Sequence, residues 1–202
     1  MMALKTKTTT ASGNGLTFKN RTANDKKKVM IYGNDGTGKS TFAETYCNKN
    51  GLNPVVIDID DTNFTSLPIV EIEFEENNKR NWLKIRDIFK KACLSDDFDT
   101  VIIDGVTSLL EMLVSDANGM KAYKDRADRF NEILLLFERC NKNVIYIGQA
   151  DMKVIYGEEH QSNKSVIKVN SIVNEKYYCY FDEKGQFKVK TEKFRRVPEK
   201  EE

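Results

Sequence analysis

Four short apolar runs divide the chain: VMIY (29–32), VVIDI (55–59), TVIID (100–104) and NVIYIG (143–148). Runs of this length, rich in Val and Ile and bounded by Gly, Asn or Asp, predict strands buried on both faces. Between them the apolar positions recur with a helical period. Residues 39–49 bring Phe42, Ala43, Tyr46 and Cys47 to one face. The stretch 81–94 does the same with Trp82, Ile85, Ile88, Phe89 and Ala92, which reads Trp82 as core. VTSLLEMLV (106–114) and DRFNEILLLFERC (128–140) predict two further helices. EIEFE (71–75) alternates and predicts an edge strand. Strands alternating with helices define an α/β class with a mostly parallel central sheet flanked by helices. Ligands of such sheets bind at the carboxyl ends of the strands.

The two ends of the chain differ from this pattern. The first 15 residues are rich in Thr, Lys and Gly and predict a disordered arm, with LTF (16–18) able to form a short strand. Residues 176–198 predict a C-terminal β-hairpin around a turn at DEKG. Before it lies a long polar loop, 151–170, of the length that usually carries function.

Composition narrows the classes. With 202 residues and 40% hydrophobic content, the chain suits one core. Net charge is +1, but residues 1–28 carry +6 and the remainder −5, so any nucleic-acid surface on the body must be local. Cysteines at 47, 93, 140 and 179 contain no CxxC pair and read as thiols of a reducing compartment. His160 alone cannot build a histidine metal site. No apolar run reaches the roughly 18 residues of a membrane span. A cytoplasmic, soluble protein with no membrane partner is expected.

The chemistry starts at IYGNDGTGKST (31–41). Gly33 to Ser40 fits G-x-x-x-x-G-K-S/T without a mismatch, after a predicted strand and before a predicted helix. The glycines let backbone N–H groups point at phosphate oxygens, and the helix adds its positive dipole end. Gly33, Asn34, Asp35, Gly36, Thr37, Gly38, Lys39, Ser40 and Thr41 are the candidate nucleotide-binding residues. Lys39 would reach the β- and γ-phosphates of ATP, and Ser40 would ligate Mg²⁺. Asp104, ending TVIID, stands at the second position of the magnesium shell. Asp58, Asp60 and Asp61 end the second strand. Alternation puts Asp58 and Asp60 on one face, and Asp60, nearest the carboxyl edge, is favoured for activating water. Gln149, ending the fourth strand, is placed to sense a γ-phosphate.

Together IYGNDGTGKST, VVIDIDD, DTVIIDGVTSLLEML and VIYIGQAD resemble the RecA-like P-loop ATPase core. More narrowly they resemble the small phage nucleotide-binding ATPases of recombination and single-strand annealing. The resemblance covers about residues 25–150 well and the tail weakly. It implies an ATPase domain at 25–198, with a flexible basic arm at 1–24 and a short tail at 199–202. It implies the fourth strand lying between the cradle strand and the third. It also implies ATP and Mg²⁺ as cofactors, rings or filaments on single-stranded DNA, a single-strand DNA-binding protein as partner, and DNA contacts from the 151–170 loop. In this sequence the family's usual Glu is Asp60. The loop mixes Lys153, Lys164 and Lys168 with Glu158 and Glu159.

The basic end QFKVKTEKFRR (186–196) offers Lys193 or Arg195 as a cation completing a neighbour's site; a solvated edge strand guarded by lysines is the alternative. Tyr177, Tyr178, Tyr180 and Phe181 could stack bases or merely pack a hairpin. The functional expectation is an ATP-hydrolysing, single-stranded-DNA-binding recombination protein. Two alternatives remain. One is a nucleotide or small-molecule kinase, for which Arg126 and Arg129 would form a lid. The other is a low-turnover ATP-dependent scaffold resembling a helicase loader.

Overall fold

The computed structural model describes residues 12–13, 16–17, 26–62, 64–72, 78–114, 119–150, 169 and 172–194. The chain divides into two units, residues 1–25 with 195–202, and residues 26–194. In the first, β1 (Ser12–Gly13), inside the 15 residues expected to be disordered, pairs antiparallel with β2 (Leu16–Thr17), which falls in the LTF stretch expected to form a short strand.

The second unit keeps the predicted alternation: β3 (Lys28–Gly33), α1 (Lys39–Lys49), β4 (Pro54–Asp58), β5 (Ile69–Glu71), α2 (Asn78–Leu94), β6 (Thr100–Asp104), α3 (Val106–Met112), α4 (Met120–Arg139), β7 (Asn143–Gln149), β8 (Glu175–Phe181) and β9 (Phe187–Phe194). Among the described residues seven of these strands form one sheet, ordered β5-β4-β6-β7-β3-β8-β9. All neighbours run parallel except β8 and β9. The fourth buried strand, β7, lies between the cradle strand β3 and β6, as the RecA-like resemblance implies. The edge strand differs from expectation. It spans Ile69–Glu71, because Val56 N–H already donates to the Pro68 carbonyl (2.9 Å) and starts the ladder there. Residues 73–77 lie outside the described residues.

Period-two alternation splits the core between the two faces of the sheet. Val29, Ile31, Val56, Ile102 and Ile145 meet Ala43, Tyr46 and Cys47 of α1. Met30, Ile57, Val101, Ile103 and Tyr146 meet Ile85 and Phe89 of α2, Leu109 of α3, and Phe130 and Phe137 of α4. Trp82 is only half-buried against this second cluster, under the Arg129 guanidinium at 5.6 Å.

Strand β8 is anchored at its start. Buried Glu175 accepts from the hydroxyls of Tyr46 (2.6 Å) and Tyr177 (2.8 Å). At the hairpin turn Asp182 accepts from the N–H groups of Lys184 (2.9 Å) and Gln186 (2.8 Å), and Gly185 takes φ +71°. This is the DEKG turn of the sequence.

Lys28 counts in sequence toward the basic N-terminal segment, but its ammonium is turned inward. It is 8% exposed and donates to the carbonyls of Phe137 (2.5 Å) and Lys142 (2.8 Å). It thereby ties the start of the cradle strand to the turn between α4 and β7. Lys28→Met keeps the stem and removes the donor, leaving buried carbonyls unmatched. It should lower unfolding stability by about 2–4 kcal/mol, measured by urea titration.

Candidate functional site

Strand β3 ends at Gly33 and the chain folds back through residues 34–38. Gly36 and Gly38 sit at φ +74° and +70°, in the left-handed region that favours glycine. A side chain at Gly33 would collide with the Cys179 carbonyl of β8. Thr37 is buried and its hydroxyl donates to the Asn34 carbonyl at 2.7 Å, closing the loop on itself. Lys39 Nζ donates to the same carbonyl at 2.8 Å. Helix α1 starts with no side-chain cap and no acid in its first turn. Its orphan N–H groups and dipole therefore favour an anion.

A cleft of about 380 Å³ opens there. Asp35, Gly36, Gly38, Lys39, Ser40 and Thr41 are among its lining residues, as are Asp60, Asp104 and Gln149. Gly33, Asn34 and Thr37 shape the loop from behind. Asp104, 3% exposed, accepts a hydrogen bond from the Ser40 hydroxyl at 3.0 Å (Oγ to Oδ2). Burial pushes its carboxyl up to about 6; hydrogen bonds from Thr62 and Ser40 oppose this, and the Asp58 and Asp60 charges add to it.

The second-strand acids separate. Asp58 accepts the Thr62 N–H on both oxygens (3.1 and 3.0 Å) and so holds its own loop. Asp60 instead reaches the cleft, with its carboxylate against Gly105; a Cβ there would lie 2.5 Å from Oδ1. Gly105 needs to be glycine for this reason and for its φ of +91°. Asp61 sits at φ +51° and does not line the cleft. Gln149 donates its backbone N–H to Thr107 Oγ1 at 3.3 Å, which fastens the end of β7 to the first turn of α3.

Arg195 lies outside the described residues, as do Lys153, Lys164 and Lys168. Lys193 is opposite Lys176 on β9 and away from the cleft lining. Neither arginine of the alternative lid lines the cleft. Arg129 donates to the Leu113 (3.2 Å) and Val114 (3.4 Å) carbonyls, and Arg126 lies over the Tyr123 ring.

Three contributors gave no sequence signal of their own. Glu44 adds a carboxylate to the cleft. Thr107 belongs to the VTSLLEML stretch but is not marked out within it. Phe187 of β9 packs on Gly38, its Cε2 3.0 Å from where a Cβ would stand, and no spacing rule connects the two.

The donor set suits magnesium. Ser40 and Asp104 are hard oxygen donors, and Mg²⁺ takes one or two such protein ligands with phosphate and water completing its shell. Among the described residues no group of three or more His, Cys, Asp or Glu is arranged to hold a metal without that help. When bound, Mg²⁺ would neutralise phosphate charge beside Asp104.

Fold and cleft together are those of a RecA-like P-loop domain. The sequence profile of the AAA domain family AAA_24 matches residues 25–200, and the chain belongs to that family. No curated protein matches significantly in sequence. Among solved structures, the RadB recombinase is 16% identical, with a TM-score of 0.55 over 85% of this chain and 83% of that one. The KaiC-like protein PH0186 from Pyrococcus horikoshii OT3 is 15% identical, with a TM-score of 0.49 over 84% of this chain and 80% of that one. At such identities the RadB likeness concerns the fold alone. No helix among the described residues is long and apolar enough to cross a membrane.

The raised Asp104 carboxyl gives a signed prediction for the nucleotide-free protein. Between the ordinary carboxylate range and about pH 6 the folded state binds more protons than the unfolded one. Stability contributed by this group therefore falls as pH rises through that window and is flat above it. Asp104→Asn should remove the slope and add about 2 kcal/mol at pH 7, read from urea unfolding across roughly pH 4.5–8.

Proposed function

We propose that the protein binds ATP with Mg²⁺ in this cleft and hydrolyses it in support of a single-stranded-DNA-binding recombination activity, annealing or strand exchange. The observation that carries the reading is the Ser40–Asp104 contact of 3.0 Å beside an uncapped α1 N-terminus. Lys39 neutralises phosphate charge by leaving the Asn34 carbonyl. Asp60, the second-strand acid that lines the cleft, orients the attacking water. Gln149 reads the γ-phosphate and passes its position to the chain after β7. The DNA part of the reading is supported by the RecA-like strand order and by likeness in fold to the RadB recombinase. A ring or filament of subunits on DNA, a single-strand DNA-binding protein as partner and a cytoplasmic setting belong to the same proposal.

Phosphate release from ATP with Mg²⁺, with and without single-stranded DNA, tests it. Wild-type turnover should rise with DNA and vanish in Lys39→Ala. Asp60→Asn should keep nucleotide binding and lose about 10²-fold or more in turnover. Turnover indifferent to DNA would sink the DNA-coupled reading.

Assembly is tested by complementation. Mixing Arg195→Ala with Lys39→Ala subunits should restore activity if Arg195 acts across a junction, where such a cation contributes about 10³–10⁵ in rate. A purely proportional loss would remove that role.

A further inference from the structure

The four aromatic residues of β8 do not form one patch. Tyr177 turns toward α1, its ring 5.2 Å from Phe42 and 5.8 Å from Tyr46, and Cys179 is buried on the same side. Lys176, Tyr178 and Tyr180 alternate to the opposite side. There Tyr32 of β3 stands opposite Tyr178 in register. Lys190 and Lys188 of β9 stand opposite Tyr178 and Tyr180. Directly opposed residues share a face, so three tyrosines and three lysines converge on one side of β3, β8 and β9.

Their geometry is that of a row. The rings of Tyr178 and Tyr180 stack at 5.5 Å and 11°, and Tyr32 is 5.0 Å from Tyr178. Lys176 Nζ lies 4.5 Å from the Tyr32 ring centroid. The carboxylate among them, Glu192, is matched within the patch by Lys176 at 2.9 Å and by the Tyr32 hydroxyl at 2.7 Å. Lys188 lies 3.7 Å from Asp182 at the turn. Tyr178 and Tyr180 belong to neither apolar core and are half-buried, while Lys188 and Lys190 are exposed.

We propose that this face is a platform for single-stranded DNA, with bases laid against the rings of Tyr178 and Tyr180 and backbone phosphates against Lys188 and Lys190. The proposal rests on the single-stranded-DNA reading above and assigns its surface to the β8–β9 hairpin. The chemistry selects the ligand. Every base has a π-face, so a ring row accepts any sequence, and cations beside it match the phosphates between bases. A duplex keeps its base faces stacked inward and offers the rings nothing. The rings are already held by their neighbours, so little freedom is lost on binding. Tyr32 immediately precedes Gly33, which places the platform one residue from the phosphate cradle.

Fluorescence anisotropy with a labelled oligothymidylate of about 20 nucleotides tests it on the full chain, with and without ATP–Mg²⁺. Tyr180→Ala should weaken binding about fivefold to a hundredfold, and Tyr180→Phe should retain it. Tyr180→Ala should still bind a fluorescent ATP analogue as wild type does. Lys190→Ala should lower the slope of log affinity against log salt by about 0.7. Lys190→Glu, at an exposed position, carries the test if Tyr180→Ala misfolds, and should also weaken binding. Wild-type binding matched by the Tyr180 and Lys190 variants would overturn the platform and leave the DNA reading standing. Wild type that binds no oligonucleotide in either nucleotide state would overturn both.

Discussion

The parallel register of β4, β6, β7, β3 and β8 is the constraint on which the site depends. Asp58 is level with Asp104, Asp104 with Ile147, and Gly33 with both Gln149 and Cys179. The backbone ladder alone therefore brings the loop acids, the metal-shell carboxylate, the sensor amide and the start of the cradle to one edge. No side-chain contact has to assemble them. The non-consecutive strand order also explains why residues distant in sequence, such as Ser40 and Asp104, reach hydrogen-bond distance. Parallel neighbours require long crossovers, and α1, α2, α3 and α4 supply the layers that bury both faces.

This dependence on the ladder divides the legible features from the hidden ones. Strands buried on both faces read as apolar runs, and a loop with obligatory left-handed turns reads as spaced glycines. The features that escaped are tertiary. Alternation placed Asp58 and Asp60 on one face, but the chain leaves the ladder after Asp58, and period two no longer governs the residues beyond it. Asp58 then holds its own loop while Asp60 reaches the cleft. The start of β5 is set by the Pro68 carbonyl rather than by the alternation of 71–75. Lys28 counts toward the positive charge of residues 1–28 until its three-dimensional acceptors are known. Phe187 on Gly38 has no local signature at all. The aromatic density of β8 was visible, but its division into a core side and an open side needed the register with β3.

The cleft violates local preferences in a consistent direction. Asp104 is buried where its charge is disfavoured, α1 begins without a cap, and Lys39 donates to a carbonyl of its own loop. Each is mildly unfavourable in isolation, and natural sequences tolerate such conflicts mainly at functional sites. One ligand type resolves all three together, an anion accompanied by a small hard cation. Phosphate oxygens would meet the helix amides and Lys39, and the cation would meet Ser40 and Asp104. A lone anion would leave Asp104 uncompensated, and a lone cation would leave the helix end so.

Strand β8 gives this edge a second role in the architecture. Its Cys179 carbonyl fills the space that excludes any side chain at Gly33, so the cradle is built against β8 as much as upon β3. One residue earlier on both strands, Tyr32 meets Tyr178 on the face away from α1. Period two makes these adjacent contacts point to opposite sides of the sheet. The glycine contact is steric and the tyrosine contact is ring packing, and both are rigidly joined through the same pair of parallel strands. A shift of β8 relative to β3 large enough to disturb the ring row would also move the wall of the phosphate loop. The hairpin is thereby part of the cradle's own structure, and Phe187 resting on Gly38 adds a second contact from β9 to the same loop.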